Sequence, residues 1–535
     1  MIGPRKLILL IVALLVVAFC PSSLWANTVY ISQNGGSFNG GTACNGQSTQ
    51  SLSFLQNGNN WTAKNPTGNQ VGPGTTVYLC GTLSGSVNST FMTCYQSGTS
   101  TSPILIQADS TTNITSPAWG MVFSCGSTNY VTFDGDSKSG VIQNSDNGSP
   151  GSYGNQIGTV VFGVGSSSNI EIRNWTISNM YVHSSGSDTI PANPFPCGVC
   201  DSGASANILF HDNKIHDINW AYSAVGSGFQ VYNNEFYNMD HAFGGGNPNA
   251  SGSFHDNQCH DFSNWDTPSD SYHHDCLHLF SNGNTISHVD IYNNYCYGNM
   301  GGNYNACVYM EGDPGGSGIV NAKIYNNIAV TTNSTGPGSG CWGMGFNISN
   351  FAIYNNTCVI PSNSNYALWI TGGTGVTVEN NTFMCNGAQC MQVGPQYGNL
   401  TGLTIDYNDW YSTAGQAFCY GSGNQGSGEP CYGSFSSYKS ASGQDAHGLG
   451  SNPQLSNDGS ETSGSPTIAW GQNLTSLGIT PLDSDTSAGN TRTPLSRPAG
   501  TCNSQGSSTC WDIGAYQYTG ANKPNPPSGL SAIVN

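Results

Sequence analysis

The chain has 535 residues, of which only 7% are charged, against roughly 25% in an average soluble protein. A formal charge of −18 with only 11 Lys and Arg excludes nucleic-acid binding and adhesion to anionic membranes, which need clustered cations. Aromatics at 11% and apolar residues at 37% argue against disorder, and the scarcity of charged helix formers against a coiled coil; with 71 glycines this leaves an all-β architecture with amide- and hydroxyl-rich surfaces.

Residues 1–26 read as a signal peptide. Arg5 and Lys6 precede the apolar run Leu7 to Phe19, which is too short to span a bilayer, and Ala26 offers a cleavage point. The expected product is secreted, extracellular or periplasmic, without membrane insertion and monomeric. Its removal leaves 18 of the 19 cysteines. An even number in an exported chain predicts disulfides rather than metal clusters. Cys419/Cys431 and Cys502/Cys510 are natural local pairs. Cys197-Gly-Val-Cys200 has redox spacing but lacks the surrounding βαβ pattern. The remaining connectivity is open.

Residues 27–69 are expected to cap the first turn of a repeat. Short strands follow at Val77-Tyr-Leu79, Ile104-Leu-Ile106, Val131-Thr-Phe133 and Asn169-Ile-Glu-Ile172. Then one phrase recurs: Ile208-Leu-Phe-His-Asp-Asn213, Phe229-Gln-Val-Tyr-Asn-Asn234, Gly252-Ser-Phe-His-Asp-Asn257 and Val289-Asp-Ile-Tyr-Asn-Asn294. It returns around Asn327, Asn356, Asn381 and Asn408, with steps of 21, 23, 37, 33, 29, 25 and 27 residues. Period-2 alternation, an Asn pair and another apolar residue spell strand, tight turn, strand. An Asn at each turn lets amides bond along the stack and tolerates the left-handed backbone of the bend. A second phrase, such as Cys276-Leu-His-Leu-Phe280, Cys307-Val-Tyr-Met-Glu311 and Ala367-Leu-Trp-Ile370, supplies a third strand per coil.

This pattern resembles the right-handed parallel β-helix family, the pectate-lyase-like superfold of many secreted carbohydrate enzymes. The resemblance covers about residues 70–415 and implies a solenoid, not a reaction. Residues 416–520 read as a loop-rich C-terminal cap. Within it, Trp511-Asp-Ile-Gly-Ala-Tyr516 resembles a segment that closes secreted bacterial β-helix proteins. Residues 521–535 form a Pro-rich tail.

Ten of the eleven histidines lie between His183 and His288. Aligning the repeats gives two columns, His211, Tyr232, His255, Tyr292, Tyr325, Tyr354 and His216, Tyr237, His260, Tyr297, which read as structural stacking. The segment from Trp265 to His278 fits neither column. In its strand Leu277 and Leu279 point inward and His278 outward; on the next coil Tyr309 and Glu311 point outward. Parallel strands lie about 4.8 Å apart, so His278 and Tyr309 should be neighbours, with Asp275 and Glu311 close by and Asp240-His241 one coil earlier. The candidate catalytic set is Asp275, His278, His274, Glu311, Tyr309 and Asp240. His241, Trp265, Tyr272 and Trp369 are candidates for substrate binding. In the resembled family this strand and its loops line the substrate groove.

Three chemistries fit these residue types. A glycoside hydrolase would place two carboxyls about 5–5.5 Å or about 6.5–9.5 Å apart, drawn from Asp240, Asp275 and Glu311. A lyase would use His274 or His278 as base and Tyr309 as proton donor. No Lys or Arg lies between Lys214 and Lys323, so the lyase would need a protonated His or Ca²⁺ held among Asp266, Asp270, Asp275 and Asp313. The third is a transition-metal site from His273, His274, Asp275 and His278, whose neighbours on a strand cannot all converge unless the loop bends. The expected partner is a neutral or weakly acidic polysaccharide, because the acidic surface repels polyanions. The competing reading is a non-catalytic extracellular scaffold that binds glycans along its amide and Tyr columns.

Overall fold

The computed structural model describes residues 27–146, 154–180, 196–201, 205–262, 273–313, 317–335, 339–424, 429–477 and 497–518. The signal segment, the Pro-rich tail and the candidate residues Trp265, Asp266, Asp270 and Tyr272 lie outside these. Among the described residues no helix is long and apolar enough to cross a membrane.

The chain winds as a parallel β-helix with three strand tracks. Around the middle, the first track is Val289–Tyr292 and Lys323–Tyr325, and the second is Gln258–His260, Tyr295–Asn299 and Ile328–Asn333. The third is His274–Phe280, Tyr304–Glu311, Ser339–Gly345, Tyr366–Ile370 and Gln389–Val393. Each strand pairs in parallel with its equivalent one coil on. Alternation drives this: inward residues such as Val289, Ile291, Leu277, Leu279 and Met310 are fully buried, and the coils share one continuous core. The stack already includes Asn27–Ser32, paired with Thr75–Leu79, so the N-terminal segment contributes a rung. The hairpin Asn34–Phe38/Gln47–Ser51 and the helix Leu52–Leu55 then close that end. The last rung is Phe418–Tyr420.

The Asn column forms an unbroken ladder. Asn213, Asn234, Asn257, Asn294, Asn327, Asn356 and Asn381 each donate from Nδ2 to Oδ1 of the next Asn at 2.9–3.1 Å. That Oδ1 also accepts the backbone N–H of the preceding ladder residue. The left-handed backbone falls elsewhere than expected: Asp212, Asn233, Asp256, Asn293, Asn326, Asn355, Asn380 and Tyr407, each one residue earlier, carry φ between +49° and +58°. The two requirements of the bend are thus divided between neighbouring residues.

The aromatic columns stack. His211, Tyr232, His255 and Tyr292 follow one another at ring separations of 4.5, 5.1 and 4.6 Å, and His216, Tyr237, His260 and Tyr297 do likewise. In each His the Nδ1 meets the next residue's Asp carboxylate. At the start of the first column Glu171 receives Arg173 Nη1 at 2.7 Å and His211 Nε2 at 3.1 Å. The His211 hydrogen bond, against burial and with the Arg173 charge, holds the Glu171 carboxyl at about 2. Burial would lower His211, but Asp212 and Glu171 together raise it. The Glu171 contribution is present above its ordinary value of 4.5 and is lost as pH falls toward 2. The His211 contribution is complete below its ordinary 6.5 and is lost as pH rises through its folded value. Glu171→Gln should therefore destabilise the protein by roughly 2 kcal/mol near about pH 5.5. It should also flatten the acid limb, as read by denaturant midpoints across pH.

The described cysteines form nine disulfides, Cys419–Cys431 and Cys502–Cys510 among them. Cys197 and Cys200 are joined to each other. Four buried cystines, Cys259–Cys276, Cys296–Cys307, Cys341–Cys358 and Cys385–Cys390, tie the second track to the third from inside. The C-terminal end is closed by the helix Phe435–Ser442, whose Tyr438 stacks on Phe418 at 5.6 Å. Trp511 to Tyr516 does not cover that end. It folds back along the flank, where Gly514 N–H bonds to Asn380 O and the Asn355 amide to Asp512 O.

Candidate active site

The site grows from the third track. Outward residues fall in one register column: Gly244, His278, Tyr309, Gly343, Trp369 and Gln392. Phe280, Glu311 and Gly345 form the next. Between them Leu277, Leu279, Val308 and Met310 fill the core. The cystines through Cys276, Cys307 and Cys341 anchor these strands from behind.

His278 links two carboxylates. Its Nδ1 lies 3.8 Å from Asp275 Oδ2 and its Nε2 3.4 Å from Glu311 Oε1. Tyr309 donates its hydroxyl to Glu311 Oε2 at 2.8 Å and its ring lies 4.8 Å from that of His278. Across Gly343, which has no side chain, Tyr309 stacks on half-buried Trp369 at 5.5 Å. The Glu311 side chain is 26% exposed, while Asp275 is wholly buried.

Strict alternation from Leu277 would turn Asp275 toward the core. The Asp275 carboxylate instead meets three imidazoles, just after a register shift between His274 and Asp275 in the pairing with the next coil. Its Oδ2 lies 3.2 Å from His273 Nε2 and 3.5 Å from His241 Nε2, besides His278; its Oδ1 accepts Ala306 N–H at 2.9 Å. His273 Nε2 and His278 Nδ1 are 3.0 Å apart. His241 is packed under Trp220, with rings 4.2 Å apart. A Cβ at Gly244 would come within 2.4 Å of that indole, so glycine is needed there for Trp220 to lie flat.

Burial raises the Asp275 carboxyl well above its ordinary value, against the Ala306 hydrogen bond. Burial and the neighbouring histidines push His241 well below its own. Burial would also raise Glu311, but the His278 contact and the Tyr309 hydroxyl outweigh it and hold it low. Tyr309 is raised by burial and then by the Glu311 charge.

Asp275, His278, Glu311 and Tyr309 are thus together, but not as an open wall: only Glu311 among them is more than marginally exposed. Asp240 and His274 form a separate buried pair, with His274 Nδ1 3.1 Å from Met239 O and 3.9 Å from Asp240 Oδ1, and Asn219 donating to Asp240. The bend at the register shift is why His274 does not join His273, Asp275 and His278. His241, expected at a substrate surface, is buried inside the His group. Asp313 lies beyond the strand and its carboxylate accepts the Gly283 N–H. Trp220 was not singled out from sequence, yet it stands seven residues after Asn213, as His241 stands seven after Asn234; aligning on the ladder finds it.

The fold and this centre together define a parallel β-helix protein with a His/Asp/Glu/Tyr cluster on its third wall. No family model matches the chain, and no curated protein matches it. Among solved structures it is similar to a rhamnogalacturonan lyase at 15% identity and TM-score 0.32, over 75% of this chain and 84% of that one. It is also similar to pectate lyase Pel9A at 14% identity and TM-score 0.30, over 92% and 98%. Likenesses this loose carry nothing about the chemistry.

Proposed function

We propose that the protein is an exported enzyme that cleaves a weakly acidic polysaccharide by β-elimination at the Glu311–Tyr309 pair. The observation that carries this is the 2.8 Å hydrogen bond from the Tyr309 hydroxyl to a partly exposed Glu311. Two-carboxylate hydrolysis needs a second carboxylate at the substrate, and Asp275 is wholly buried. Glu311 takes the proton α to a uronate carboxylate, the bond to the leaving oxygen breaks, and Tyr309 protonates that oxygen. The proton on Glu311 then passes along the same hydrogen bond to the phenolate, so the pair is restored and one unsaturated end is formed per cut.

The test is a panel of uronate-containing and neutral polysaccharides. Unsaturated products, detected by ultraviolet absorbance, support the reading. Reducing ends without unsaturation would replace it with hydrolysis. Binding with no product from any substrate would favour the glycan-binding scaffold. Trp369 offers a half-exposed indole beside Tyr309. Trp369→Ala should cost roughly 1 kcal/mol of sugar stacking, read as a several-fold rise in KM with kcat little changed.

A further inference from the structure

The geometry points to a divalent transition-metal site, of the Zn²⁺ class, formed by His241, His273, Asp275 and His278. One donor atom from each lies within 4.8 Å of the others. The separations from Asp275 Oδ2 are 3.2, 3.5 and 3.8 Å, and His273 Nε2 to His278 Nδ1 is 3.0 Å. A tetrahedral ion bound at about 2.0–2.1 Å sets its ligands about 3.3–3.4 Å apart. The four known separations, 3.0 to 3.8 Å, bracket that spacing.

A hydrogen-bonded cluster accounts for them poorly. Asp275 Oδ2 and both ring nitrogens of His241 are buried without a hydrogen bond, although three imidazoles surround that oxygen. Buried polar atoms are rarely left so. His273 and His278 can share one hydrogen bond at 3.0 Å, which still leaves the Asp275 oxygen and the His241 nitrogens without one; a single ion would serve all four.

The next layer is built to match. His278 presents Nε2 to Glu311 Oε1 at 3.4 Å, leaving Nδ1 for the centre. Asp275 commits Oδ1 to Ala306 N–H at 2.9 Å, leaving Oδ2. His241 is fixed by the Trp220 ring. Carboxylate-to-histidine and amide-to-carboxylate contacts of this kind orient metal ligands. Three nitrogens and one oxygen in a compact tetrahedron suit Zn²⁺ and not Ca²⁺, which takes six to eight oxygens. The nearby cysteines Cys259, Cys276 and Cys296 are held in disulfides and are not thiolate ligands. Access is from the His273 side, whose side chain is 38% exposed.

Metal binding does not rest on the elimination reading and is measured without any polysaccharide. Full-length mature protein is stripped with a chelator, then titrated with Zn²⁺ alone by calorimetry, with bound metal counted by elemental analysis after gel filtration. One ion per chain is expected, together with a rise in the unfolding temperature. Loading with Co²⁺ should give the visible absorption of a four-coordinate ion. Asp275→Asn and His273→Gln should each weaken binding at least about 100-fold, and Glu311→Gln about 10–100-fold. His447→Gln, in an exposed pair with Asp406, should leave it unchanged. If Asp275→Asn does not fold, the rim variant His273→Gln decides. Substoichiometric zinc, or full binding retained in His273→Gln, overturns the site. If zinc binds at one per chain and no polysaccharide is cut, the site stands and the elimination reading alone falls.

Discussion

Glu311→Gln should lower turnover on the cleaved polysaccharide about 10³-fold or more, a loss of roughly 4 kcal/mol of transition-state stabilisation. Gln keeps the shape and can still accept the Tyr309 hydroxyl, whose bond to Glu311 spans 2.8 Å. It cannot take a proton from carbon. KM should move little, because sugar contact is assigned to Trp369 and its neighbours. Tyr309→Phe should lose a comparable factor, since the leaving oxygen then departs unprotonated. The double variant should be scarcely worse than either alone, because the two residues act as a unit in one elimination step. Glu311 also faces His278 at 3.4 Å, so a merely positioning role is the competing explanation. That role predicts a smaller loss, recovered by added Zn²⁺ as His278 is refilled. A deficit of 10³ that persists at saturating zinc places the proton on Glu311 itself; recovery by zinc would remove it from the chemistry.

How much of this was legible beforehand follows from which features repeat. The Asn ladder is written in the sequence because every rung needs the same side chain at the same turn. The steps from Asn213 to Asn408 in sequence are the steps of the hydrogen bonds. The neighbourhood of His278 and Tyr309 was legible for the same reason: register on a parallel wall follows from aligning two coils. The approach of His241 to Asp275 was not. The two are register partners on neighbouring coils, but Asp275 lies within the long step from Asn257 to Asn294, where ladder counting breaks down. Burial carries no periodic signal either. Alternation says which side of a strand a residue leaves from, and nothing of what then covers it, so His278 and Tyr309 read as surface residues and are nearly enclosed. The return of Trp511 to Tyr516 along the flank is likewise a tertiary contact with no periodic signal, fixed by single bonds such as Thr382 Oγ1 to Ile513 O.

Asn327→Ala should remove about 3–6 kcal/mol from the coils around it. The Asn327 amide donates to Ile291 O, Tyr325 O and Asn356 Oδ1, and its Oδ1 accepts both the backbone N–H and the side-chain amide of Asn294. Ala leaves those two Asn294 donors buried, at about 1–3 kcal/mol each, and adds a void at a turn where Asn327 is fully enclosed. Stability in a solenoid is close to a sum over neighbouring repeats. Hydrogen exchange should therefore quicken for amides from about Asn294 to Asn356 while the first coils keep their protection; uniform quickening along the chain would show that the ladder acts as one unit. Asn327→Asp should do no better than Ala, although Asp ends the ladder in the native chain. Asp445 accepts from Asn408 through both N–H and Nδ2, and from Trp410 Nε1 and the Tyr438 hydroxyl. The last rung has only to accept, and four donors satisfy it. A middle rung must also pass a donor onward, which a carboxylate cannot do, so the same residue that closes the series at 445 would break it at 327.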